Sequence, residues 1–161
     1  MKCSKKLEKS KNFKSSEPAN KITKKSDVNP LLIAYTYFLN NNFTKFISIG
    51  FDSTSLTPLI NLEKIGKSTI LWDILDWTHF TINVCTINNF LNNTNTQLDI
   101  SFTNFHMYSH NGKILIKNQK SNEVIDFTAD EISNIIKLME FLNSILYHYK
   151  SYTVYVQEYY K

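Results

Sequence analysis

The sequence predicts an α+β fold with antiparallel sheets and two helices, and three observations predict it. Asn111-Gly112 sits between two alternating apolar runs, the pattern of a tight hairpin. Thr128 and Glu131 form a capping box in front of apolar residues at helical spacing. Large apolar side chains are nearly absent before Pro30 and frequent after it, so the core is expected to start there.

Residues 1–29 hold nine lysines against Glu8, Glu17 and Asp27, a balance of +6 that leaves −2 on residues 30–161 of the total +4. With few large apolar side chains to bury, Phe13 and Ile22 among them, this segment cannot offset the entropy of ordering and is expected to be a disordered arm. Residues 30–161 are expected to form one domain, for which 161 residues in all leave ample length.

Within the body, Ala34 to Leu39 and Phe46 to Phe51 read as strands flanking the turn Asn40-Asn41-Asn42, and Leu59 to Leu62 as a third. From Ser68, the spacing of Ile70, Leu71, Ile74, Leu75 and Trp77 predicts a short helix capped by Ser68 or Thr69. Residues 80–91 fit either a strand or more helix. Leu98 to Tyr108 and Lys113 to Lys117 form the predicted hairpin, and Glu123 to Phe127 a further strand. Ile132, Ile135, Ile136, Met139, Leu142 and Leu146 then mark a helix through about Tyr147, and Ser151 to Val156 reads as a terminal strand. Both halves, Tyr35 to Trp77 and Leu98 to Tyr147, repeat the order strand, strand, short strand, helix without sequence identity.

Two cysteines, Cys3 and Cys85, give no disulfide framework and no zinc spacing, which points to a reducing intracellular compartment, nuclear or cytoplasmic. The apolar run Pro30 to Leu39 is too short to span a bilayer, so no membrane is expected. Arginine is absent and lysine, asparagine and isoleucine are abundant, as an AT-rich coding sequence of viral or plasmid type produces.

No catalytic constellation stands out, and no cofactor or metal is expected. Gly66-Lys67-Ser68 lacks the upstream glycine of a phosphate loop, where Asn61 stands, and reads as a turn. His106 and His110 flank the hairpin without further metal ligands nearby. Asp73 with Asp76 and Asp130 with Glu131 read as exposed helix-start charges. Single-stranded nucleic acid needs lysines along a backbone track and rings for base stacking. Lys113, Lys117 and Lys120 supply the charge and Phe105 and Tyr108 the rings, with Lys5, Lys6, Lys24 and Lys25 of the arm as further phosphate contacts. Ile135, Met139, Leu142 and Leu146 are expected to form a dimer interface, reinforced by the tyrosines at 147, 149, 152, 155, 159 and 160.

Asn111-Gly112-Lys113-Ile114-Leu115-Ile116 and the run from Ile125 to Ile132 resemble the C-terminal domain of the transcriptional coactivator positive cofactor four, over about a third of the chain. That resemblance implies a curved antiparallel sheet that binds single-stranded DNA, a helix-mediated dimer and a serine- and lysine-rich arm. The half-to-half repetition is similar to the Whirly proteins, which hold two such units in one polypeptide and also bind single-stranded DNA. Their lysine-glycine-lysine motif is echoed at Lys64-Ile65-Gly66-Lys67-Ser68, and the mildly acidic body departs from the basic sheet of both families.

The expected function is therefore non-enzymatic binding of single-stranded DNA or RNA in replication or transcription, by a homo-oligomer. The alternative is a virion-type assembly protein whose basic arm contacts nucleic acid or an acidic partner.

Overall fold

Side-chain alternation in the first half of the body builds a four-stranded antiparallel meander of β1 (Leu31–Phe38), β2 (Lys45–Asp52), β3 (Pro58–Lys64) and β4 (Ser68–Trp72). The helices α1 (Ile74–Ile82) and α2 (Val84–Asn92) follow it. A second meander comprises β5 (Asp99–Ser101), β6 (Phe105–His110), β7 (Lys113–Asn118) and β8 (Val124–Phe127), and the 31-residue α3 (Ala129–Tyr159) follows that one. This computed structural model describes residues 31–93 and 95–160, so the arm expected at 1–29 lies outside the described residues. The fold is α+β with antiparallel sheets.

Local chemistry sets the turns. Asn111 and Gly112 have φ of 49° and 73°, the two positive values that a tight primed hairpin turn demands. Gly66, at φ 69°, turns β3 into β4, with Lys67 N–H donating to Lys64 O at 3.0 Å. Gly50 on β2 has a different task. A Cβ there would meet Leu32 O at 2.8 Å, because β1 bulges inward between Leu32 and Tyr35.

Four expectations need correction. Ser68 to Trp72 is a strand, with Ile70 and Trp72 alternating into the core, and the helix starts only after the cap residue Asp73. Leu98 to Tyr108 is broken at residues 102–104 into β5 and β6. Ser151 to Val156 is the end of α3: no glycine or proline stops that helix, and Ser151 and Thr153 return their hydroxyls to the carbonyls of Tyr147 and Tyr149. Three helices stand where two were expected, because residues 80–91 are helical and Asn83, with φ −91° and ψ 5°, divides α1 from α2.

The repeat is deeper than the sequence suggests. Both first helices open with a capping box, Asp73 with Asp76 and Thr128 with Glu131. Counting from each cap, the residues just before it (Trp72, Phe127) and those four, seven and fourteen after it (Trp77, Phe80, Ile87; Ile132, Ile135, Leu142) are all buried. They belong to one continuous core with Ile47, Ile49, Ile60, Leu62, Met107, Ile114 and Ile116.

The two units also clasp each other reciprocally. Asn40, in the β1–β2 turn, donates through Nδ2 to Glu131 Oε1 at 2.8 Å, on the other unit's helix. Asn104, in the β5–β6 turn, donates to Asp76 Oδ1 at 2.9 Å, on the first unit's helix. Asp76 and Glu131 are buried, so each carboxylate depends on its asparagine for desolvated hydrogen bonding. We expect Asn104→Ala and Asn40→Ala each to lower the unfolding free energy by about 1–3 kcal/mol in urea titrations. A loss confined to one of them would show that the two halves are not held symmetrically.

Candidate nucleic-acid interface

Strand alternation divides the second sheet into a core face and an outer face. Phe105, Met107, Ile114, Ile116, Ile125 and Phe127 point inward and are buried. The antiparallel register places His106 opposite Lys117, Tyr108 opposite Leu115 and His110 opposite Lys113 on the outer side. Lys113 and Lys117, four residues apart on β7, stand about 13 Å apart at the usual rise per residue.

The rings of His106 and Tyr108 stack on that face, with centroids 4.8 Å apart and planes 28° from parallel. His106 Nε2 lies 2.7 Å from Asp99 Oδ1 on β5, which fixes the imidazole edge and leaves the tyrosine half-exposed. Next to it, His106, Lys117, Ser101, Gln119 and Asn122 line a polar recess of about 250 Å³. Lys117 and Lys120 have no acidic side chain within ion-pair distance among the described residues. Asn118 Oδ1 accepts from the Lys120 and Ser121 N–H groups at 2.8 and 3.1 Å and so presents the exposed Lys120 at the tip of the β7–β8 turn.

Lys113 is less free. Its ammonium donates to Asp126 Oδ2 at 2.8 Å, which raises its pKa. Lys64, from the first sheet, also donates to Asp126, and Lys45 lies 3.8 Å from it while donating to Glu131 at 2.8 Å. Hydrogen bonds from Lys113 first, then Lys64, hold the Asp126 carboxyl far below the ordinary carboxylate range. At Glu131 burial pushes the pKa up, but the bonds from Lys45, the Thr128 N–H and Asn40 outweigh it, and the net shift is downward. Asp76 goes the other way: burial dominates over the bond from Asn104, and its pKa is raised. Three ammoniums thus meet two carboxylates where the sheets adjoin, with one positive charge in excess.

The candidate residues sort as follows. Lys113, Lys117, Lys120 and Tyr108 are brought together on the outer face. Phe105 is not: it is fully buried, stacked on Phe102 at 4.1 Å and tilted against Trp72 at 4.6 Å, so it cannot offer a ring to a base. His106, weighed in the sequence only as a metal ligand, instead brings its ring to this face beside Tyr108. The proposed dimer residues Ile135 and Leu142 are fully buried and Leu146 nearly so, because α3 lays its apolar stripe across β2, β3 and β7; Met139 is half-buried against the same core. Asp76 and Glu131, expected on exposed helix faces, are buried partners in the clasp. Lys5, Lys6, Lys24 and Lys25 lie outside the described residues.

Among the described residues no group of three or more His, Cys, Asp or Glu side chains is placed to hold a metal ion, and no helix is long and apolar enough to cross a membrane. No protein-family model, curated protein or solved structure matches the chain.

Two outcomes follow. Phe105→Ala is expected to cost about 3–5 kcal/mol of stability as a core deletion, whereas Tyr108→Ala should leave the urea midpoint within experimental scatter. For pH, Asp126 and Glu131 contribute stability that is complete above their ordinary values of 3.8 and 4.5 and is lost as pH falls through their depressed folded values. Asp76, raised, has the opposite sign, its cost being relieved on acidification. Asp126→Asn should therefore be less stable than the parent at neutral pH, with a gap that narrows below 3.8; a gap constant on acidification would contradict the assignment.

Proposed function

We propose that this chain is a non-enzymatic single-stranded nucleic-acid-binding protein, acting in replication or transcription, that holds a strand across the outer face of the second sheet. The observation that carries the reading is the outward row on β6 and β7, with the His106–Tyr108 ring pair beside unpaired Lys117. An unpaired base stacks on the half-exposed tyrosine, and phosphates meet Lys117 and Lys120, with Lys113 at the far end of β7. Duplex DNA keeps its base faces internal, so a ring platform favours single strands.

Two further points support it. The chain has two successive four-stranded meanders, each followed by a helix, which suits the resemblance to the Whirly proteins. The net +6 of residues 1–29 adds a sequence-independent attraction to phosphates. The alternative of an assembly protein, with nucleic acid held by the arm alone, is favoured by one feature, the exposed tyrosines at the end of α3.

Fluorescence anisotropy on the full chain with labelled single-stranded and duplex oligonucleotides separates them. Stacking contributes about 1–3 kcal/mol per base, so Tyr108→Ala is expected to weaken single-strand binding by about five- to 150-fold, with Lys117→Ala weakening it further. Replacing Lys5, Lys6, Lys24 and Lys25 by Gln should flatten the salt dependence by about 0.7 per lost phosphate contact and keep the single-strand preference. Unchanged affinity in the sheet variants, with binding abolished by the arm variant, would leave only the assembly reading.

A further inference from the structure

α3 outruns the fold on which it packs. Its last fully core-facing residue is Tyr149, whose ring stacks on Phe51 at 4.6 Å and whose hydroxyl donates to Ile33 O. The helix continues to Tyr159. Along this extension one side stays with the first sheet: Val156 is half-buried, and Tyr152, Tyr155 and Val156 border an apolar cleft of about 470 Å³ against Ile33 and Phe51. At 100° per residue the opposite side carries Tyr147, Ser151, Val154 and Glu158 in a stripe, flanked by Lys150. Nothing in the described protein covers that stripe: Tyr147 is 72% exposed and Val154 61%.

We propose that a second copy of this chain docks antiparallel on this stripe, on a two-fold axis through Val154. Charge decides the occupant and the direction. Lys150 and Glu158 are exposed and stand four residues before and four after Val154, so an antiparallel pair sets Lys150 against Glu158 of the partner subunit, twice. A parallel pair would set Lys150 against its own copy. Val154 fills the centre between these two ion pairs and Tyr147 lies just beyond them, so apolar contact on the axis is bracketed by paired charge. A nucleic acid does not suit this stripe, whose two formal charges cancel. This interface replaces the one expected at Ile135, Leu142 and Leu146, and it stands independently of the nucleic-acid reading.

Sedimentation velocity of the full chain across a micromolar concentration series tests it. A concentration-dependent dimer is expected. Val154→Lys, which places like charges on the axis, should yield a monomer with an unchanged unfolding midpoint, since the side chain is exposed. Lys150→Glu should weaken association at least about tenfold by facing Glu158 of the partner subunit, and Lys150→Glu combined with Glu158→Lys should restore it. A monomer at every concentration, or an oligomer indifferent to both Val154→Lys and the charge exchange, overturns the proposal. Oligonucleotide affinity, probed on the other sheet by Tyr108→Ala, reports separately on the proposed function.

Discussion

Each carboxylate at the third position of α1 and α3 does two things at once. Asp76 and Glu131 accept from the backbone at their own helix start, and each also accepts from an asparagine in a turn of the other unit. Hydrogen bonds to buried charged groups are worth more than neutral ones, and leaving such a charge unpaired is costly. A unit folded alone would bury neither carboxylate with its full set of donors. The cap that starts each helix is therefore also the contact that fixes where the other unit lies. The rest of the architecture follows from that coupling, since the single core requires Trp72 at the end of β4 to reach Phe105 on β6.

With the inner faces of both sheets and the stripe of α3 committed to the shared core, function falls to the outer surfaces. The outer face of the second sheet is one remaining broad surface, and the extension of α3 another. They differ in chemistry. The sheet presents stacked rings, hydroxyls and lysines, while the helix presents tyrosine and valine with one charge of each sign at either end. On the proposed reading this division gives ligand and partner separate surfaces, so occupation of one need not displace the other.

The hairpin and the start of α3 were legible because both depend on local rules: positive φ at Asn111 and Gly112, and the Thr128–Glu131 box. The junction at Asp73 was not. There a five-residue strand runs into a helix cap with no glycine or proline between them. Ile70 and Leu71, belonging to the strand, therefore combine with Ile74, Leu75 and Trp77 into a false helical period. Asp76 completes the box with a shorter acid than the usual glutamate, which hid the signal. At Ser151 to Val156 β-branched residues suggested a strand, but helix propagation costs little once a helix is nucleated, and no stop intervened. On the candidate site the error could have been avoided. Phe105 and Tyr108 are three residues apart, so on a regular strand they must face opposite ways. His106 shares the parity of Tyr108, and counting back from the Asn111-Gly112 turn sets it across from Lys117. The clasp, by contrast, joins residues 91 positions apart in one case, beyond any periodic signal.

The balance of −2 on residues 30–161 argues less against a cationic surface than it first suggests. Its acidic residues are concentrated where the fold needs them: Asp73, Asp76 and Glu131 at helix starts, Asp52 bonded to Ser55 in a turn, and Asp126 gathering three ammoniums where the sheets meet. On the outer face itself Asp99 is engaged by His106, while Lys117 and Lys120 have no acidic partner among the described residues. Salt at physiological strength screens exposed charges beyond about 8 Å, so a strand lying on β6 and β7 responds to the groups within that distance and hardly to the total. A polypeptide can therefore be mildly acidic in sum and still attract phosphates along one strand pair, provided that its carboxylates are engaged in caps and ion pairs elsewhere. The proposed binding needs the lysines at 117 and 120 to be unpaired, and among the described residues neither has an acidic side chain within ion-pair distance, Glu123 in the same turn as Lys120 included.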